Sequence, residues 1–212
     1  MAHIVLLGDS IFDNRAYVRP GEPDVVRQLL ARLPAGYRAT LRAVDGATTA
    51  GVPGQVRRVP ADATHLVVSA GGNDALARID VLEATSRSIA DALMRLAEIG
   101  DAFEQSYRSM VDAVLAAGKP SAFCTIYNPR FPDPRLQRLA TTALTLFNDI
   151  ISRAAFSNGL PLLDLRLICD EAADYASPIE PSAQGGEKIA AAIARLVAEH
   201  HFTRRRTEVF VR

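Results

Sequence analysis

The sequence predicts an α/β fold of the flavodoxin-like kind: a three-layer α/β/α sandwich around a five-stranded parallel sheet of order 2-1-3-4-5. Three observations carry this reading. Short apolar runs stop at glycine or polar residues, the mark of strands buried on both faces. Longer stretches between them repeat their apolar residues at helical spacing. The two kinds of segment alternate along the chain, which places helices on both faces of a parallel sheet.

The first strand is Ile4-Val5-Leu6-Leu7, closed by Gly8. A helix follows from Pro23 to Leu33, with Val25, Val26, Leu29, Leu30 and Leu33 on one stripe. Thr40 to Val44 is the second strand, Leu66 to Ser69 the third, Ala122 to Tyr127 the fourth and Pro161 to Leu165 the fifth. Helical patterns run over Ala84 to Ile99, Phe103 to Ala117, Arg135 to Ala155 and Gly186 to His200. About 50 residues separate the third strand from the fourth, roughly twice what one crossover helix requires. The segment around residues 77–101 is therefore read as an extra helix on a single domain spanning 1–212. After it all comes a short basic tail, 202–212, with Arg204-Arg205-Arg206 followed by Val209-Phe210-Val211.

Composition narrows the function classes. The 24 basic and 24 acidic residues cancel, so no global field draws the chain to nucleic acid or an anionic membrane. Hydrophobic residues make up 49%, enough for an ordinary core without staples. Cys124 and Cys169 each sit in an apolar run, and their wide spacing fits buried thiols rather than a disulfide framework or a metal knuckle. The apolar run at Ile4–Leu7 is too short for a signal peptide and no segment reaches a membrane span, so the expected location is the cytoplasm. No metal-ligand spacing, G-x-G-x-x-G motif or Walker lysine occurs, and no metal or cofactor is expected. The expected partner is a small molecule; the oligomeric state is left open.

In an open parallel sheet ligands bind at the carboxyl ends of the strands. Those ends read Gly8-Asp9-Ser10, then Asp45-Gly46-Ala47-Thr48-Thr49, then Gly71-Gly72-Asn73-Asp74, then Tyr127-Asn128-Pro129. A serine on the tight turn after the first strand is exposed as a nucleophile. The backbone N–H groups of Ser10 and Gly46 and the Asn73 amide are three donors able to converge on one oxyanion. Asp9 and Asp74 have the character of turn-capping acids, and with Tyr127 and Asn128 they stand where a substrate would touch.

On these residues the sequence resembles the SGNH hydrolases, the GDSL esterase/lipase superfamily. The matching motifs are Gly8-Asp9-Ser10, Gly46 with Ala47-Thr48-Thr49, and Gly71-Gly72-Asn73-Asp74. The resemblance implies hydrolysis of a carboxylic ester, with Ser10 as nucleophile and Ser10, Gly46 and Asn73 as the oxyanion hole. It also implies a final D-x-x-H-P motif, and there this chain departs. The matching stretch is Ser177-Pro178-Ile179-Glu180-Pro181, with Ser177 in the aspartate's place and Glu180 in the histidine's.

No other histidine serves. His3 and His65 lie at the amino ends of their strands, roughly 20 Å from Ser10 for His3. His200 and His201 lie roughly 30 Å along the last helix from Glu180. The base is therefore a carboxylate: Glu180 first, because it occupies the histidine's place, and Asp13 second, three residues past Ser10. Burial against Pro178, Ile179 and Pro181 would raise the Glu180 pKa and improve it as a base. The sequence thus points to a serine esterase with a noncanonical base. A non-catalytic acyl- or carboxylate-binding protein and an acyltransferase stay open as alternatives.

Overall fold

The computed structural model describes residues 1–211; Arg212, the last residue of the expected tail, lies outside them. The strands in chain order are β1 (His3–Gly8), β2 (Arg38–Leu41), β3 (His65–Ser69), β4 (Ser121–Cys124), β5 (Leu162–Leu163), β6 (Tyr175–Ser177), β7 (Glu180–Pro181) and β8 (Val209–Phe210). The helices are α1 (Val25–Arg32), α2 (Val52–Val56), α3 (Gly72–Leu76), α4 (Ile89–Ala116), α5 (Pro134–Asn158), α6 (Leu165–Ile168) and α7 (Ala183–Glu199).

Alternation along the central strands builds two cores. On β1, Ile4 and Leu6 face one core while Val5 and Leu7 face the other, and all four are fully buried. Each such side chain stabilises the fold by about 1.5–3 kcal/mol relative to exposure. The first core is closed by α1 and α7 through Val25, Leu29, Ile189, Ile193 and Leu196. The second is closed by α4 and α5 through Phe103, Tyr107, Val114, Phe147 and Ile151. Helices therefore lie on both faces of the sheet.

The sheet is parallel throughout, in the order β2-β1-β3-β4-β5-β8. The expected order 2-1-3-4-5 is present, and a sixth strand extends it. That strand comes from the segment read as a basic tail. Val209 and Phe210 pair with Leu162 and Leu163, and Phe210 is buried while Arg204, Arg205 and Arg206 are exposed. Two residues carry no alternation to read, so β8 exists only because β5 leaves an edge for it.

The stretch between β3 and β4 also differs from its reading as two helices, Ala84 to Ile99 and Phe103 to Ala117. Residues 79–83 form a short 3-10 turn, and α4 then runs unbroken for 28 residues through Ile99-Gly100-Asp101. Gly100 does not break α4. It is buried against Leu146, where a Cβ would stand 3.2 Å from both Leu146 methyls, and so lets α4 lie close on α5. The helix ends follow ordinary capping: Asp24, Ser88, Asp133 and Ser182 accept N-terminal amides of α1, α4, α5 and α7, and Gly159 closes α5 in the left-handed conformation.

Candidate active site

The turn after β1 depends on Gly8. Its φ is +122°, and a Cβ there would stand 1.7 Å from the Ser69 carbonyl oxygen of β3. Only glycine lets the two strand ends approach so closely. The buried Gln55 side chain holds this backbone from the other side, accepting from the Gly8 N–H at 2.7 Å and donating to its carbonyl at 2.8 Å. Ser10 follows two residues later, buried, at the carboxyl edge of the sheet. Among the described residues its backbone N–H donates to no protein acceptor, unlike those of Asp9, Ile11, Phe12 and Asp13.

Across from it stands Asn73, in the first turn of α3. Its Nδ2 donates to the Ala47 carbonyl at 3.0 Å, so one amide hydrogen holds the Gly46 turn and the second is left for the cavity that Asn73 lines. Asp74 spends both oxygens on Thr49, accepting from its N–H at 3.0 Å and its hydroxyl at 2.6 Å.

The third wall is the β6–β7 hairpin, in which Ser177 pairs with Glu180. It is pinned on both flanks of Glu180. The fully buried Asn14 donates to the Pro181 carbonyl at 3.4 Å while accepting from the Val25 N–H, and the Tyr127 hydroxyl donates to the Ile179 carbonyl at 2.7 Å. Behind the hairpin, Lys188 bonds the fully buried Asp174 at 2.8 Å.

Glu180 itself is buried, at 8% exposure, and among the described residues its Oε2 has no hydrogen-bond partner. Burial raises its pKa above the ordinary carboxylate value. The neighbouring Ser10 hydroxyl, as a hydrogen-bond partner, opposes this, and the Asp45 charge adds to it. Asp9, 3% exposed, is pushed up to about 8, by burial first, with the charges of Glu180 and Asp74 adding and the Ile11 N–H bond opposing. At neutral pH Asp9 is therefore mostly protonated.

This shift ties stability to pH. The Asp9 pKa is higher in the folded chain than in the unfolded one, so the folded state holds the proton more tightly. Its contribution is intact below about pH 4 and is lost as pH rises toward about 8. Asp9→Asn keeps the acceptor for Ile11 and removes the titration. We expect urea stability of wild type to fall relative to Asp9→Asn across that window; parallel curves would contradict it.

Asp9, Ser10, Asn73 and Glu180 share the head of a cavity of about 120 Å³. Its body is apolar, walled by Leu76, Ile79, Leu96, Ile126, Leu144 and Phe147. The polar groups thus meet where an apolar slot ends, an arrangement suited to an acyl group whose carbonyl stops at Ser10.

The model of the GDSL-like lipase/acylhydrolase family matches residues 6–202. The chain belongs to this family. Solved structures similar to this GDSL-like chain include an extracellular lipase from Streptomyces rimosus, with 18% identity and a TM-score of 0.63 over 95% of this chain and 100% of that one. A lipase from a goat rumen metagenome has 18% identity and a TM-score of 0.68 over 90% and 95%. An acetyl xylan esterase has 16% identity and a TM-score of 0.63 over 93% and 100%. At such identities these likenesses speak to the fold, which they share with this chain. No curated protein matches it. By family the chain is of the carboxylic ester hydrolase kind. Among the described residues no helix is long and apolar enough to cross a membrane.

Against its own sequence, the GDSL-like chain brings Ser10, Asn73, Glu180, Asp9 and the ring of Tyr127 together on one cavity. Gly46 sits on an exposed turn at φ +77°, joined to the site through Ala47 and Asn73 and outside the cavity lining. Asp13 lies outside the cavity lining and accepts the Asp45 N–H at 3.0 Å. Asn128 is also off the cavity wall, its carbonyl accepting from Tyr175. The four histidines lie elsewhere. His3 bonds Asp62 and Thr40, His65 packs on Phe202, His200 bonds Glu208 and His201 is exposed. Sequence reasoning missed Gln55 and Asn14. Each is a polar residue flanked by a helix or turn, and only its burial reveals a role.

Proposed function

We propose that this chain is a serine esterase in which Ser10 forms an acyl-enzyme and Glu180 takes the place of the family's histidine as general base. The observation that carries the reading is the Ser10 hydroxyl beside the buried Glu180 carboxyl at the head of an apolar cavity. Ser10 Oγ attacks the ester carbonyl carbon while its proton passes to Glu180. The carbonyl oxygen becomes an oxyanion facing the undonated Ser10 N–H and the spare Asn73 amide hydrogen, with Gly46 on the turn that Asn73 holds. Collapse expels the alcohol, which takes the proton back from Glu180. Water then repeats the sequence on the acyl-enzyme, releasing the carboxylic acid and free Ser10.

Burial raises the Glu180 pKa and makes it a stronger base than an exposed glutamate, and with no imidazole beside Ser10 among the described residues turnover is expected to be slow. Incubation with p-nitrophenyl butyrate, quenching and mass mapping should find the butyryl group on Ser10. Ser10→Ala should lose both the adduct and about 10³-fold or more of the turnover. The lack of an imidazole near Ser10 favours one second reading, a non-catalytic acyl-binding protein. Thermal stabilisation by butyrate, with no adduct and no turnover, would select it.

A further inference from the structure

The carboxyl groups around Ser10 are not balanced by cations. Among the described residues no Lys, Arg or His forms an ion pair with Asp9, Asp13, Asp45, Asp74 or Glu180. Nearby arginines point elsewhere: Arg15 donates to the Glu22 carbonyl and Arg42 to the Arg58 carbonyl. Arg78, just past the end of α3, lines the cavity wall with its side chain exposed, and among the described residues it forms no ion pair with these acids.

These acids are held in place. Asp45 Oδ2 accepts the Tyr17 hydroxyl at 2.8 Å, and the Asp45 N–H donates to Asp13 at 3.0 Å. The three residues thus form a rim around the turn that carries Gly46, close enough for the Asp45 charge to act on Glu180. The Asp45, Glu180 and Asp13 carboxylates all act on the Tyr17 phenol and push its pKa up. Independently, Glu180 lines the cavity, and among the described residues its buried Oε2 has no hydrogen-bond donor. A buried acceptor left unpaired destabilises the free protein, and a ligand that brings a donor removes the penalty.

An anionic rim also repels the oxyanion the reaction must form, unless the substrate brings opposite charge. A metal ion is a poor fit, because among the described residues no three His, Cys, Asp or Glu side chains are arranged to hold one.

We propose that the rim of Tyr17, Asp45 and Asp13 beside Glu180 binds an ammonium group carried on the alcohol side of the ester. The aromatic face of Tyr17 and the Asp45 carboxylate receive the cation, its N–H meets the orphaned Glu180 oxygen, and the acyl chain takes the apolar cavity. This rests on the esterase reading for its kinetic readout but not for its binding readout.

The test compares 2-(dimethylamino)ethyl butyrate, protonated at neutral pH, with its uncharged isostere 3-methylbutyl butyrate. In wild type, kcat/KM should favour the cationic ester by about 10-fold or more at low salt. The ratio should fall toward one in Asp45→Asn, in Asp13→Asn and at high ionic strength. A wild-type ratio of one or below, or a ratio that neither variant moves, overturns the proposal. If neither ester is turned over, the hydrolase reading fails and calorimetry decides instead. About 10-fold tighter binding of the cationic ester to wild type than to Asp45→Asn upholds the rim as a cation site, and equal binding sinks it.

Discussion

Glu180→Gln should lower kcat for p-nitrophenyl butyrate by about 10²–10⁴-fold, the usual worth of a general base. Glutamine keeps the size and the hairpin pairing of Glu180 but cannot take the Ser10 proton. In wild type the base must be ionised to work, so the rate should climb with pH through an apparent pKa above the ordinary value of a glutamate. It should fall again as pH passes about 8, where Asp9 ionises and adds a second negative charge beside the developing oxyanion. The rising limb should vanish in Glu180→Gln and the falling limb in Asp9→Asn. A Glu180→Gln variant with wild-type kcat and the same pH profile would remove Glu180 from the mechanism. Stopped rates with a folded variant, checked by thermal unfolding, make the measurement.

The second large effect runs the other way. Ser177 and Glu180 face each other across the β6–β7 ladder, so Ser177→Asp combined with Glu180→His sets a carboxylate directly opposite an imidazole. The histidine would occupy the Glu180 position at the cavity head, oriented by the new aspartate, with a pKa near 6.5 suited to neutral pH. The double variant should gain about 10–100-fold in kcat/KM at neutral pH, with its rising limb moved to the imidazole pKa. Each single variant should gain less, because an unoriented histidine or an unpaired aspartate lacks half of the device. No gain in a folded double variant would mean that Ser10 is not poised for attack, which points to the acyl-binding alternative.

Much of the site was legible because its residues sit at strand ends. Gly8, Ser10 and Asn73 each follow a short buried run, and the doubly wound sheet brings every such end to one edge. The departure at Glu180 was legible for the same reason, since the residue lies just before the last helix. Reading stopped where a side chain's direction mattered. Asp13 is as near to Ser10 in sequence as a base needs to be, yet the turn points it at the Asp45 amide. Gln55 and Asn14 fix the Gly8 turn and the Glu180 hairpin through bonds that span 47 and 167 residues. Nothing local in the chain announces such partners.

The sequence by itself determined the alternation of strands and helices, the parallel sheet and its central order, and the strand-end serine and asparagine. Those follow from hydrophobic period and from turn chemistry, both of which act over a few residues. Only the tertiary structure decided that β8 completes the sheet, that α4 passes unbroken through Gly100, and that Glu180 rather than Asp13 stands beside Ser10. It also decided that Asp13 and Asp45 meet on one rim with, among the described residues, no ion pair to either. These outcomes depend on which distant surfaces meet, and close packing fixes that only when the whole chain is in place.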